Sequence, residues 1–353
     1  MAYSSVKKPA FYIPVFDYLQ STGMIAYNDD PLNDIHLLNP TKTHRINPDA
    51  NWWGSGSITY DITLNSPTIP SQILDSNGDV YLFILGHNFR SKDCSIELQL
   101  IDTTNAIISA TTPESIVNYN GSSTKPDYNG FSIIKANYSI SNNIDGFRIV
   151  INGFSSDSND EIKIGCVSLC KKWNPPHNPD LSLSMTRQYD GVKTTRTKGG
   201  ATLSNAQYTR GGTFWANNHA WELSSQDYEQ AVGVGDSYRN IQRTLGRRIW
   251  SMNFSYLTPA NIMPETESLD YYESDDYTDW LGVTLHENSS SFFSNVLNRV
   301  QGSHLPFIFQ PNDTDNNTNP DQWAIVRFDQ KDFTITQAAP DLYSLSMKLT
   351  ESW

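Results

Sequence analysis

The stretch VYLFILG at residues 80–86 decides the fold class, because it is a nearly continuous apolar run of strand length. Such a run is typical of a strand that is covered on both faces. The stretch SIELQLI at residues 95–101 alternates apolar and polar side chains instead, which is typical of a strand with one exposed face. We therefore predict a central strand at the first stretch and a half-exposed strand at the second.

Short strand-like segments continue from Trp52 to Trp173, separated by clusters of Asn, Gly, Ser and Pro. This pattern predicts an antiparallel, jelly-roll-like β-sandwich. Within it, we expect residues 147–151 and 162–169 to form a hairpin, because the intervening segment is rich in turn residues.

The stretch KKWNPPHNPDL at residues 171–181 marks a domain boundary, because its three prolines remove amide donors and favour an extended chain. A chain of 353 residues is also long enough for two cores. The resulting division has four parts: an N-terminal arm at 1–51, which we expect to pack on a neighbour, the sandwich at 52–173, a Pro-rich linker at 174–182 and a C-terminal domain at 183–353.

The C-terminal domain reads as sheet-dominated α+β, so the whole chain is predicted to be mainly β. Two exposed strands are expected around the turn YDG at 189–191. The strand RRIWSMNFSYL at 247–257 places its large apolar side chains on one face. Further strands are predicted at 305–309, 322–328, 332–336 and 342–350.

One short amphipathic helix is predicted at residues 289–302 of this domain. A serine cap precedes it, and Gly302 is placed to end it. Its apolar stripe consists of Phe292, Phe293, Val296, Leu297 and Val300. We expect this stripe to lie on the sheet.

The charge balance argues against nucleic acid as a partner. The chain has 38 Asp and Glu against 25 Lys and Arg, a formal net charge of −13, which repels a phosphate backbone. We find no secretory signal and no apolar stretch long enough to span a membrane. We therefore expect the protein to be made in a cytoplasm.

Motifs for catalysis or for a resident cofactor are absent from the sequence. The seven histidines never occur at metal-binding spacing, and we expect them at the surface or at caps. Cys94, Cys166 and Cys170 are predicted to be small buried or half-buried thiols. Nucleophile elbows and phosphate-binding loops are also missing. We predict a protein that is not an enzyme, without cofactor or metal.

Three groups of residues are candidates for binding. Asp313, Asp315 and Asn317 begin like a calcium loop, but the Gly and Glu that an EF-hand needs later are missing, so polar turns explain them and a weak calcium site is left open. A run of carboxylates is predicted to be a solvated face or a docking surface for basic side chains; it contains Glu265, Glu267, Asp270, Glu273, Asp275, Asp276 and Asp279.

Four tryptophans lie among polar residues near presumed strand ends, where they could stack on sugars or contact a neighbouring subunit. They are Trp52, Trp53, Trp215 and Trp221. Core filling is the alternative for each of them.

The C-terminal third resembles virion structural proteins of tailed bacteriophages, particularly those of the distal tail or baseplate. The similar stretches are RRIWSMNFSYL at 247–257, SFFSNVLNRVQGSHLPFIFQPN at 291–312, WAIVRF at 323–328 and TITQAAPDLYSLSMKLTESW at 334–353. The resemblance implies a homo-oligomeric ring, commonly six-fold, that joins the tail tube to host-recognition proteins. It also implies localisation in the virion, with other tail or baseplate proteins as partners.

Two other functions remain open at this point. The first is a glycan-binding adhesin or tail-fibre module that uses the tryptophans to bind a host glycan. The second is a polysaccharide hydrolase that uses acids of the 265–279 run, although paired catalytic carboxylates need a rigid separation that this loop-like segment does not suggest.

Overall fold

The computed structural model describes most of the chain. The described residues are 6–21, 35–36, 38, 44–46, 57–68, 73–89, 92–102, 104, 106–108, 114–115, 130–138, 144–153, 162–188, 192–206, 247–263, 290–313 and 323–352.

The protein is mainly β, as predicted, and its described helices are short. The first eleven strands are β1 (Ala10–Pro14), β2 (His44–Ile46), β3 (Ser57–Thr68), β4 (Asp79–Leu85), β5 (Ser95–Ile101), β6 (Ile107–Ile108), β7 (Glu114–Ser115), β8 (Phe131–Asn137), β9 (Ile144–Asn152), β10 (Ile162–Ile164) and β11 (Cys166–Trp173). The others are β12 (Ser184–Gln188), β13 (Val192–Arg196), β14 (Thr202–Ala206), β15 (Arg247–Leu257), β16 (Phe307–Gln310), β17 (Ala324–Phe328), β18 (Ile335–Ala339) and β19 (Leu342–Glu351). The helices are α1 (Val15–Ser21), α2 (Pro259–Ile262) and the π-helical turn α3 (Phe293–Leu297).

One large antiparallel sheet runs through both predicted domains. Its strand order is β12-β15-β19-β17-β16-β1-β11-β4-β8-β7, with β18 paired to β19 beside this path. Strand β1 lies in the middle, antiparallel to β11 on one side and to β16 on the other. The predicted arm at 1–51 thus includes a strand inside the chain's own sheet, while the domain limits themselves stay predictions.

A second antiparallel sheet, in the order β3-β9-β5-β6, packs on one face of the large sheet. The shared core contains alternate residues of β4, namely Val80, Leu82 and Ile84, together with Phe147 and Ile149 of β9. The other β4 side chains, Tyr81, Phe83 and Leu85, are buried in a separate core on the opposite face. The central strand predicted at residues 80–86 is therefore confirmed, and the jelly-roll connectivity stays a prediction.

The predicted half-exposed strand at residues 95–101 is confirmed as β5. Ile96, Leu98 and Leu100 are buried in the core between the two sheets, while Glu97 is exposed. This alternation follows from the period of two in a strand, which sends successive side chains to opposite faces.

The hairpin expected between residues 147–151 and 162–169 is wrong. Strand β9 pairs with β3 and β5 in the second sheet, whereas β11 pairs with β1 and β4 in the large sheet. The two strands therefore lie in different layers. Periodicity identifies such strands but says nothing about which partner their backbone groups bind, because any strand edge offers the same donors and acceptors.

The turn expected at 189–191 lies outside the described residues, and the strands on either side of it, β12 and β13, do not pair with each other in the part of the chain that the structure describes. Strand β12 pairs with β15, and β13 pairs with β14.

The third core lies on the same face of the large sheet as the second sheet does, but in its C-terminal half. Trp250, Met252 and Phe254 of β15 enter it from one face of that strand, as predicted. From the helical segment, Phe292, Val296 and Val300 are buried, whereas Phe293 is 38% exposed. The predicted apolar stripe is therefore narrower than expected.

The helical segment also differs from the regular helix that the stripe predicts. The Asn298 amide donates to the Phe293 carbonyl and the Gly302 amide to the Leu297 carbonyl, both across five residues. Phe293 lies off the buried line formed by Phe292, Val296 and Val300, whereas Leu297 is half-buried and packs against this core. Ser291 Oγ accepts a hydrogen bond from the Ser294 amide, and Gly302, at φ 68°, ends the segment.

Candidate functional site

The residues predicted for binding lie largely outside the described part of the chain. This applies to Trp52, Trp53, Trp215 and Trp221, and to Glu265, Glu267, Asp270, Glu273, Asp275, Asp276 and Asp279. Their roles in glycan binding or docking stay predictions.

Asp313 is the described member of the candidate calcium group. Its Oδ2 atom lies 2.7 Å from the Lys172 Nζ atom and accepts a 3.3 Å hydrogen bond from Asn174. A cation bound there would compete with the lysine ammonium for the same oxygen. Asp315 and Asn317 lie outside the described residues. Among the residues that the structure describes, no three His, Cys, Asp or Glu side chains are grouped so as to hold a metal ion.

The three cysteines are buried free thiols, as predicted. Burial raises the pKa of the Cys170 thiol well above its usual range, and Ser168, within 3.4 Å, only partly opposes this. A thiol with a raised pKa is protonated at neutral pH, and the thiolate is the nucleophile. Cys170 is therefore not suited to nucleophilic chemistry.

His87 and Ser132 form a buried pair that resembles part of a catalytic arrangement, with 2.7 Å between Nε2 and Oγ. The Phe89 amide donates to His87 Nδ1 at 3.2 Å, so in the neutral ring Nε2 carries the proton and donates to the serine. Burial also lowers the pKa of His87 to about 3. A general base needs a free Nε2 lone pair facing the hydroxyl, so this pair is not arranged as a nucleophile and base.

The burial of His87 contradicts the sequence-based expectation that histidines lie at the surface or at caps. His87 lies two residues after the end of β4, and Phe89 stacks on its ring at 4.4 Å between centroids. The sequence signal was its place at the end of a fully apolar strand, since the chain leaves such a strand still inside the core.

Charged side chains also lie in buried or half-buried positions near α1. Burial raises the pKa of Asp17 to about 6. Burial, with the nearby charge of Arg299, lowers the pKa of Lys171 to about 7. The Arg299 guanidinium itself lies 4.6 Å from the centre of the Tyr18 ring. Sequence reasoning missed this group, because its members come from three distant segments.

Arg248 and Glu351 form a buried ion pair between β15 and β19. The Arg248 Nε atom donates to Glu351 Oε1, the Arg248 amide donates to Glu351 Oε2, both at 2.6 Å, and Nη2 donates to the Trp323 carbonyl at 3.0 Å. Both carboxylate oxygens are thereby satisfied, which a buried charge requires. This arrangement fixes three adjacent strands and leaves no carboxylate oxygen free for chemistry.

Two outer strands of the large sheet, β12 and β18, are exposed, in contrast to the buried groups described above. All five residues of β12 and all five of β18 are exposed. Each is paired on one side only within the described residues, β12 with β15 and β18 with β19. Met185 and Ile335 are large apolar side chains on these exposed strands.

A two-stranded hairpin follows β12, and residues 193–196 and 198–204 of it are exposed. We define the exposed hairpin as residues 192–206, which contain β13, β14 and the turn between them. Its strands pair only with each other among the described strands. The turn is well formed: Thr197 and Ala201 exchange backbone and side-chain hydrogen bonds, and Gly200 has φ 87°. Leu203 on β14 is 60% exposed.

Comparison of the chain with protein-family models, with curated proteins and with solved structures gave no match. In the described part of the chain, no helix combines the length and the apolar character needed to cross a membrane.

Proposed function

We propose that this protein is a structural subunit of a tailed-bacteriophage tail or baseplate that assembles with copies of itself and carries host-recognition proteins. The observation that carries the proposal is the set of exposed strands: β12, β18 and the exposed hairpin.

Exposed strands of this kind are unusual in a protein that functions alone. An edge strand presents unpaired amide and carbonyl groups, and proteins normally shorten, charge or cover such edges. A two-stranded hairpin without further packing is also only marginally stable in water. A subunit that meets other subunits covers both features in the assembly.

Exposed apolar side chains at and beside β12 and on the exposed hairpin support this interpretation. Leu181, which precedes β12, is fully exposed, and Met185, Tyr256 and, on the hairpin, Leu203 are also exposed. Ser255 of β15 donates to Asp180 at 2.6 Å, which holds the chain before β12 close to Tyr256. Clustered exposed apolar groups mark protein contact surfaces more often than isolated ones do.

The phage assignment itself draws on the resemblance of the C-terminal third to distal tail and baseplate proteins. The stretches that carry this resemblance form strands β15 to β19 of the large sheet. In this proposal the ring symmetry and the neighbouring tail proteins follow from the resemblance alone.

Two measurements test the proposal. Multi-angle light scattering of the full chain over a wide concentration range should show oligomers that grow in population with concentration. Electron microscopy of a phage particle that contains the chain should then place it in a ring at the tail end. A strictly monomeric protein at high concentration would contradict the self-assembly.

A further inference from the structure

We propose that the exposed hairpin, residues 192–206, is a basic docking arm that binds an acidic surface on a second copy of this chain. The inference rests on the proposed function, because it names the partner of the surface that carries that proposal.

The exposed hairpin and the rest of the chain carry opposite net charges. The exposed hairpin contains Lys193, Arg196 and Lys198 and no Asp or Glu, so its formal charge is +3. The whole chain carries −13, and the rest of the chain therefore carries −16, the difference between −13 and +3. A copy of this chain therefore carries a net charge opposite in sign to that of the hairpin, which favours their association.

The basic residues are distributed over both faces and the turn of the hairpin. Lys193 and Thr195 alternate with Thr194 and Arg196 along β13, so Lys193 and Arg196 lie on opposite faces, and Lys198 lies in the turn. All three basic residues are exposed. The hairpin therefore presents positive charge from both faces and from its tip, as suits a segment that is surrounded by a partner.

One face of the hairpin also carries an exposed apolar side chain, Leu203. Leu203 lies opposite Thr195 in the antiparallel register, and both side chains are exposed. Leu203 lies on a hairpin whose strands pair only with each other among the described strands, so covering this apolar side chain with a partner stabilises the complex. Charge brings the copies together with the correct orientation, and Leu203 is buried on contact.

The hairpin follows closely in the chain after a strand of the large sheet. Strand β12 pairs with β15 at the end of that sheet, and only residues 189–191 separate β12 from the hairpin. Five-residue strands extend roughly 17 Å. The hairpin is thus close in the chain to a strand that is paired with the large sheet.

Charge reversal of the hairpin in the full-length chain tests the inference. We compare Lys193→Glu/Arg196→Glu/Lys198→Glu with a matched control, Lys7→Glu/Lys8→Glu/Lys331→Glu, whose three basic residues are also exposed but lie elsewhere. Both variants change the net charge by the same amount, so the general repulsion between copies is the same in both. Far-ultraviolet circular dichroism and thermal unfolding verify that both variants fold.

Sedimentation velocity at several salt concentrations measures the self-association of each protein. We expect the hairpin variant to associate about tenfold more weakly than the matched control at low salt. Added salt should weaken the association of the wild type and the control, because it screens the attraction, and should not weaken that of the hairpin variant. A Leu203→Ser variant, which keeps the charge, should also associate more weakly while keeping the salt dependence.

The outcomes separate this inference from the proposed function. A wild-type protein that stays monomeric overturns the self-assembly and the arm together. A wild type that associates, with a hairpin variant that matches the control at every salt concentration, overturns the arm alone. Weaker association of the hairpin variant than of the control supports the arm.

Discussion

The carboxylate of Glu351 and the guanidinium of Arg248 lie almost entirely out of water, with side-chain exposures of 3% and 8%. At a surface, an ion pair contributes little because water solvates each charge about as well as the partner does. Inside the protein, each charge depends on its partner, so the loss of one is severe although the pair itself contributes modest net stability. The position of a charge therefore decides its effect more than its chemical type does.

Glu351→Gln should lower the free energy of unfolding by about 3 to 5 kcal/mol, because it leaves the Arg248 guanidinium buried without a counter-charge. The control is Asp329→Asn, which breaks the pair between Asp329 and Lys348, where both side chains are 47% exposed. That control should cost no more than about 1 kcal/mol. Urea denaturation at pH 7 measures both, and equal losses would contradict the prediction.

Asp17 is a second single residue whose environment predicts a measurable effect, through pH. Burial raises the pKa of Asp17 from 3.8 to about 6 in the folded protein. Between these two values the folded state binds more protons than the unfolded state, so the contribution of Asp17 to stability falls as the pH rises from about 4 to about 6.

Asp17→Asn should remove this part of the pH dependence and make the protein more stable than the wild type at pH 7, by up to about 3 kcal/mol. Denaturation at a series of pH values from 4 to 8 measures the difference between the two proteins. The exposed Asp332→Asn is the matched control, with no expected effect. If the free energies of unfolding of Asp17→Asn and of the wild type change in parallel over the whole pH series, burial does not raise the pKa of Asp17.

At the scale of elements, β1 contributes side chains to cores on both faces of the large sheet although it has only five residues. Phe11 contacts Trp173, Phe307 and Phe309 on one face of the large sheet. On the other face, Tyr12 contacts Tyr81, Phe83 and Trp323, and its hydroxyl donates to Gln310. A strand of five residues thus contributes to two cores and pairs with strands from both predicted domains.

The C-terminal part should therefore not fold by itself. A fragment of residues 183–353 lacks β1 and exposes one edge of β16 together with the ring of Phe309. We expect it to bind a hydrophobic dye and to show no cooperative thermal unfolding, because too much apolar surface is left uncovered. The same fragment preceded by residues 1–21 and a Gly-Ser linker should recover part of the transition. Cooperative unfolding of the fragment alone would show that β1 is dispensable.

Elements also mark the limit of prediction from sequence. Hydrophobic periodicity correctly identified β4, β5 and the core face of β15, because the pattern of one strand is written in its own residues. It failed for the pairing of β9 with β11. Pairing depends on which strands meet in space, and backbone donors and acceptors are alike in every strand.

At the scale of the whole molecule, one extensive sheet combines a deeply packed middle with exposed ends. The middle strands β16, β1 and β4 are buried on both faces, as is β11 up to Cys170, whereas β12 and β18 are exposed along their length. The exposed hairpin adds a local positive charge to a strongly negative chain. The proposed self-assembly and its basic arm both follow from this contrast between a covered centre and uncovered edges.

The sequence by itself determined the mainly β class, the central and half-exposed strands, the core face of β15 and the negative charge, since composition and periodicity are local properties. It did not identify β1 as the strand that joins the two halves, the burial of His87 or the pair of Arg248 and Glu351. Each of these depends on residues far apart in the chain, and only the tertiary structure brings such residues together.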